Sequence, residues 1–172
     1  MKNDFINFYV TPSIIQQFHL NPQWGVRAWL STLGLIKSQS NYFTRYGQYM
    51  HNKLGYTNNK RFYTVFNVKD LNVFMEGTPD HLNPLKELKT CGYRKIQDKK
   101  ELNKIIDAAS LQLMGYMMMT NDDYGFVVVC CRDRKIPSIE TKVERNDKLF
   151  KCRVYDFYKY LSNNLSRYME VV

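Results

Sequence analysis

The sequence has no C-x-x-C pair, no apolar run near the length of a membrane span, no internal repeat and no low-complexity tract. Each absence excludes something. Without that spacing, the four cysteines, Cys91, Cys130, Cys131 and Cys152, outline neither a zinc site nor a disulfide framework. Adjacent Cys130 and Cys131 lie in an apolar run and read as buried thiols, which suits a reducing interior. A bilayer span needs roughly 20 apolar residues, so no membrane partner is expected. The opening "MKNDFINFYV" has neither a signal-peptide apolar stretch nor the Arg-rich character of a transit peptide. These features lead us to expect a soluble, intracellular protein. With no linker in view, residues 1–172 are expected to form one domain, with a helical part over 1–56 and a sheet core over 57–172.

Acidic residues are also scarce: 16 Asp and Glu stand against 25 Lys and Arg, for a net charge of +9. Such an excess favours a polyanionic partner, because phosphate contacts release counterions. Charge alone does not name that partner. A hydrophobic content of 44%, with 13 Tyr and 10 Phe, belongs to a folded chain.

Thr11-Pro12 and Asn21-Pro22 each set a capping residue before a proline at the first helical position, so two helices are expected to start there. A third is expected over residues 41–54, with Phe43, Gly47, Met50 and Leu54 on one stripe and Gly55 as its stop. The period then changes. "KRFYTVFNV", "NVFMEGTPDHL" and "LKELKT" read as three strands, the last two joined by a turn at Asn83-Pro84. Asp98 with Glu101 makes a capping-box-like start to a long helix over 98–119, with an apolar stripe from Leu102 to Met117. "GFVVVCC" reads as a buried strand. "PSIETKVER" and "KLFKCRVY" are expected to pair over Asn146-Asp147, and "DFYKYLSNNLSRYM" to close the chain as a helix. The expected class is α/β, a mixed sheet flanked by helices with an N-terminal helical segment.

One stretch, "GTPDHLNPLKELKT", gathers charge around a turn. If its strands pair with Leu82 opposite Leu85, His81 falls opposite Lys86 and Asp80 opposite Glu87, whether the loop has two residues or four. Asn83 precedes a proline and is expected to be extended, which favours the four-residue loop. Lys89 lies two positions beyond Glu87 and shares its face. Two carboxylates so placed repel unless a cation lies between them. Mg²⁺ accepts that arrangement, because it binds hard oxygens and uses one or two carboxylates, water and substrate phosphate. The same residues also suit an exposed hairpin of solvated charges, and spacing alone does not choose. Asp133, Glu140 and Lys142 repeat the spacing without a G-x-x-D lead-in, and are read as an accidental copy.

The ordered set of motifs resembles the RecB-like branch of the PD-(D/E)XK nucleases, which includes mitochondrial genome maintenance exonuclease and CRISPR adaptation nucleases. "TPSIIQQFHLNPQW" resembles its opening segment, "GQYMH" its G-x-x-x-H, "GTPD" with "ELKT" its G-x-x-D and E-x-K-T core, and "QLMGY" its Q-x-x-x-Y. The resemblance implies a restriction-endonuclease-like fold and a Mg²⁺- or Mn²⁺-dependent nuclease, an exonuclease on DNA ends or single strands. It implies Asp80, Glu87 and Lys89 as catalytic residues. Asp80, Glu87, the Leu88 carbonyl and His51 would be metal ligands, and Gln112 and Tyr116 would touch substrate or orient the lysine. The family's iron–sulfur members carry a Cys where Asn21 stands, so no iron–sulfur cluster is expected. DNA is favoured over RNA as partner.

Two other readings stay open on the sequence. Residues 11–68 can be read as a winged helix without catalysis, whose third helix would meet DNA through Arg45, Gln48 and Asn52. Alternatively, the nuclease fold is kept as an inactive interaction protein. Trp24, Trp29, Tyr42, Phe43 and Tyr46 can serve as stacking surfaces for unpaired bases or as core.

Overall fold

The computed structural model describes residues 5–37, 42–56, 58–133 and 136–169. The elements run β1 (Ile6–Val10), α1 (Pro12–Leu20), α2 (Pro22–Thr32), α3 (Tyr42–Lys53), β2 (Phe62–Val68), β3 (Leu71–Gly77) and β4 (Lys86–Cys91). After these come α4 (Tyr93–Gln97), α5 (Lys99–Thr120), β5 (Tyr124–Cys131), β6 (Ile139–Glu144) and α6 (Asp147–Met169).

Local chemistry accounts for most boundaries. Thr11 Oγ1 accepts the Ile14 N–H at 3.3 Å, and Asn21 Oδ1 accepts the Gln23 N–H at 2.9 Å. Both leave the following Pro to open its helix without a wasted donor. Asp98 caps α5 through the Lys100 and Glu101 N–H groups at 2.9 and 3.2 Å. Glu101 does not complete a capping box, since the Asp98 N–H already bonds the Arg94 carbonyl and the Glu101 carboxylate takes Lys104 at 2.6 Å. Gly55, at φ +75°, follows α3 in the left-handed region that glycine enters freely.

The strands form two sheets of three, ordered β1-β3-β2 and β4-β5-β6. In the first, β1 runs parallel to β3 and β2 antiparallel to it; in the second, β4 runs parallel to β5 and β6 antiparallel. The connection from β3 to β4 carries one antiparallel bridge, His81 with Lys86. Helix α5 packs against strands of both sheets, and α1 and α6 pack with it. Ala108, Ala109, Leu113 and Met117 of α5 are all 0% exposed, as an axial helix requires. The mixed sheets flanked by helices are the class that the sequence led us to expect.

Four expectations need correction. The opening segment carries no expected strand, yet Phe8 and Val10 face the core and Ile6–Val10 pairs along β3. The strand expected to run through residue 82 stops at Gly77. The short α4 has no counterpart among the expected elements. Residues 148–155 are helical rather than a strand: Asn146 caps α6 by accepting the Leu149 N–H at 3.0 Å. Phe150, Val154, Phe157 and Leu161 bury one stripe at helical spacing, which outweighs the short alternation at 150, 152 and 154.

The expected start at Asn41, and the side chains of Tyr42 and Phe43, lie outside the described residues. Trp29 belongs to the fold: its Nε1 donates to the Tyr9 carbonyl at 3.0 Å and its ring stacks on Phe8. Among the described residues, no helix is long and apolar enough to cross a membrane.

Candidate active site

The gap between the two sheets is where the charged residues of "GTPDHLNPLKELKT" meet. β3 delivers the chain to Asp80 through Gly77, and a Cβ at Gly77 would lie 2.8 Å from Tyr116 Cε1 and 3.2 Å from Pro12 Cδ. The glycine of the G-x-x-D motif is therefore required by the approach of Tyr116. Asn58 then fastens the segment, its Nδ2 donating to the Pro79 carbonyl at 2.9 Å. Sequence reasoning misses Asn58, because a lone loop asparagine carries no distinguishing pattern.

The expected register holds at its first pair. His81 and Lys86 exchange backbone bonds of 3.3 and 3.1 Å around a four-residue turn. Asn83 is not extended within that turn: its φ is +58°, a left-handed value that asparagine tolerates better than most residues. The Asn83-Pro84 peptide is cis. Beyond His81 the ladder ends. Asp80 does not sit across from Glu87 as a paired strand residue; its carboxylate turns to the free edge of β4, where Oδ2 accepts the Leu88 N–H at 2.8 Å.

From β4, Glu87 and Lys89 project to one face, and Lys89 Nζ donates to Glu87 Oε1 at 2.7 Å. The same ammonium donates to Gln112 Oε1 of α5 at 2.8 Å, and Gln112 Nε2 donates to the Tyr116 hydroxyl at 3.0 Å. Four residues thus form one chain of bonds, with the lysine held between a carboxylate and an amide oxygen. On the other side, His51 of α3 places Nδ1 3.2 Å from Asp80 Oδ1. Gly47 lies on the face of the same helix that meets β4, where a Cβ would come to rest 3.7 Å from Thr90 Oγ1, an ordinary packing distance.

Burial sets the electrostatics. Glu87 is 1% exposed, and burial pushes its carboxyl up to about 7, against the opposing pull of Lys89 and with added repulsion from Asp80. The hydrogen bond to Asp80 raises His51 above the ordinary imidazole value. Burial, then the Glu87 charge, drives Tyr116 well above the usual phenol range. Glu87 Oε2 is buried and lacks a hydrogen-bond partner among the described residues.

An orphaned buried carboxylate oxygen beside a second carboxylate is what a hard divalent cation would satisfy. A strand residue also presents its C=O to the same edge as its N–H, so the Leu88 carbonyl opens toward Asp80. Among the described residues, no group of three His, Cys, Asp or Glu side chains is placed to hold a metal ion. The donors present instead fit an open half-site for Mg²⁺ or Mn²⁺, leaving positions for water and phosphate.

The sequence-derived set is therefore brought together at His51, Asp80, Glu87, Leu88, Lys89, Gln112 and Tyr116. Arg45 is not: it is exposed on α3, about 9 Å along the axis from His51. The repeated spacing is dispersed. Asp133 accepts from the Tyr93 N–H, Glu140 pairs with Lys86 and Lys142 pairs with Glu144. The winged-helix reading does not fit, since residues 62–68 form the edge strand of a sheet in which β3 lies between them and β1, and α3 packs against β4.

No family model matches the chain, and no curated protein matches it in sequence. Solved structures do match in fold. A phage-related exonuclease from Haemophilus somnus superposes with a TM-score of 0.59 at 14% identity, over 97% of this chain and 99% of that one. An alkaline exonuclease from Laribacter hongkongensis superposes with a TM-score of 0.53 at 13% identity, over 95% and 91% of the two chains. At such identity the likeness is one of fold: this chain has the fold of these exonucleases.

Proposed function

We propose that this chain, taken as one domain, is a divalent-metal-dependent nuclease of the RecB-like type, hydrolysing phosphodiester bonds of DNA as an exonuclease on ends or single strands. The observation that carries the reading is the unmatched Glu87 Oε2, buried beside Asp80 on a carboxylate that also holds a lysine. The exonuclease preference draws on the fold neighbours, which are exonucleases. The positive balance of +9 supports a polyanionic substrate.

Asp80, Glu87 and the Leu88 carbonyl would hold Mg²⁺ or Mn²⁺, and His51 would add a nitrogen that suits Mn²⁺ better. When bound, such a cation polarises the phosphate and acidifies a water. Lys89 is the catalytic residue of the chain itself. Its ammonium has one donor on Glu87 and one on Gln112, which leaves the third for an attacking water or a developing phosphoryl charge. Gln112 and Tyr116 position that ammonium. Gln112 spends its oxygen on Lys89 because its amide N–H is committed to Tyr116.

End-labelled DNA incubated with Mg²⁺, Mn²⁺ or a chelator, with wild type beside Asp80→Ala, tests the proposal. Metal-dependent shortening that vanishes in the variant is expected. Cleavage that persists in the chelator or in Asp80→Ala sinks the reading.

A further inference from the structure

We propose that a groove between α3 and the outer face of β5 binds single-stranded polynucleotide, taking an unstacked base in an apolar floor and phosphates on a cationic rim. Its place in the reaction rests on the nuclease reading; its existence as a binding site does not.

The groove is two hollows in line. The first, about 510 Å³, lies between Met50 and Leu54 of α3 and the outer face of β5, where Val128 and Cys130 form the floor. Tyr56 packs on that small apolar patch, which is separate from the main core. The second, about 430 Å³, lies along Gly92, Tyr93, Arg94 and Lys95. Arg132 and Asp133 border both, so the hollows are neighbours at the ends of β4 and β5.

Charge names the occupant. Among the described residues, Lys53, Arg94, Lys95 and Arg132 line the groove, against the one carboxylate of Asp133. Asp133 accepts the Tyr93 N–H at 3.1 Å and Arg132 Nε at 3.3 Å, so those two charges offset each other and Lys53, Arg94 and Lys95 are the cations in excess. Tyr46 is fixed as a wall by its hydroxyl, which donates to the Arg132 carbonyl at 2.9 Å. Arg45, Tyr49 and Lys53 stand at i, i+4 and i+8, one row along α3, and Tyr49 is 56% exposed. An apolar floor with aromatic walls and a line of cations matches a chain that alternates flat bases with phosphates. A base still paired in duplex cannot reach such a floor, whereas an unstacked one can.

Position links the groove to the acidic site. Gly92 follows Lys89 by three residues, about 10 Å at the rise of a strand. The floor shares the sheet face of Leu88, opposite to that of Glu87 and Lys89, so a strand whose phosphate lies at Lys89 reaches the groove by turning around the end of β4 at Gly92.

The test reads binding without cleavage. In an Asp80→Ala background, fluorescein-labelled oligo-dT of about 16 nucleotides is titrated by anisotropy over a series of KCl concentrations. Arg94→Gln with Lys95→Gln, both exposed positions, is expected to flatten the slope of log affinity against log salt by about 1.4, or about 0.7 for each phosphate no longer neutralised. Ser138→Trp, which fills the first hollow from an exposed position, is expected to weaken binding about tenfold. Lys159→Gln, exposed on α6, should change neither. If both groove variants bind like the Asp80→Ala parent, or the Lys159 variant loses as much slope, the groove is overturned. Should wild type then still show metal-dependent cleavage, the nuclease reading survives without it. If wild type does not cleave but the groove variants lose binding, the groove stands and the nuclease reading falls.

Discussion

The Asp80 carboxylate accepts the backbone N–H of Leu88 at 2.8 Å, so a side chain occupies the edge of β4 where a neighbouring strand would otherwise pair. The His81–Lys86 bridge closes the turn just before β4. Asp80 therefore has one oxygen in the architecture and one, beside His51, left for chemistry.

That division separates two substitutions at one position. Asp80→Asn can keep an acceptor for the Leu88 N–H while removing the charge, and Asp80→Ala removes both. Both are expected to abolish metal-dependent cleavage. Only Asp80→Ala should also lose stability, by about 1–3 kcal/mol in thermal or urea unfolding, the cost of an unsatisfied backbone donor. Lys142→Ala, on the dispersed copy of the motif, should cleave like wild type. Equal melting of the two Asp80 variants would contradict this account.

Glu87 offers a readout that does not depend on turnover. Mn²⁺ at about 100 times its Kd should add about 2.7 kcal/mol to the stability of wild type. Glu87→Gln keeps a hydrogen-bond partner for Lys89 but gives up the charge, and its melting temperature should barely respond to the ion. An equal upshift in the variant would place the ion elsewhere.

Tyr116 and Gln112 act through Lys89, and their effects should show it. Tyr116→Phe takes away the acceptor of the Gln112 N–H and frees the amide to turn from the ammonium. We expect kcat to fall about tenfold with KM nearly unchanged, since general acid–base groups contribute about 10²–10⁴-fold when lost outright. Gln112→Ala and the double variant should fall by similar factors rather than multiply, as members of one bonded chain do. A rise in KM alone would make these residues substrate contacts instead.

Two glycines probe packing with and without catalysis. A Cβ at Gly115 would lie 2.8 Å from Phe150 Cζ and 2.9 Å from Pro12, and at Gly77 it would meet Tyr116. Both alanine variants are expected to lose about 1–3 kcal/mol by overpacking. At temperatures where both are folded, only Gly77→Ala should also slow cleavage, because Tyr116 must move and Gln112 with it.

Much of the site is legible in the sequence for a physical reason: it is built from short-range rules. Strand periodicity puts Glu87 and Lys89 on one face, helical spacing puts Gln112 one turn from Tyr116, and the turn fixes His81 opposite Lys86. What fails is longer in range. Residues 148–155 alternate locally like a strand, and only the buried stripe that continues to Leu161 reveals the helix. β1 is a five-residue strand whose partner β3 lies more than 60 positions away, with no local signal to announce the pairing. The Asp80–Leu88 bond is hidden for a similar reason: periodicity predicts faces, not what a side chain does at a sheet edge.

The junction also bears on how such a chain could lose its activity. Lys89 is partly exposed and, among the described residues, its side chain bonds only Glu87 and Gln112, so a descendant no longer cutting nucleic acid could shed it with modest damage. Position 80 has less freedom, because its oxygen takes the Leu88 N–H at the edge of β4. In retired copies of this fold, an asparagine there would be the natural relic.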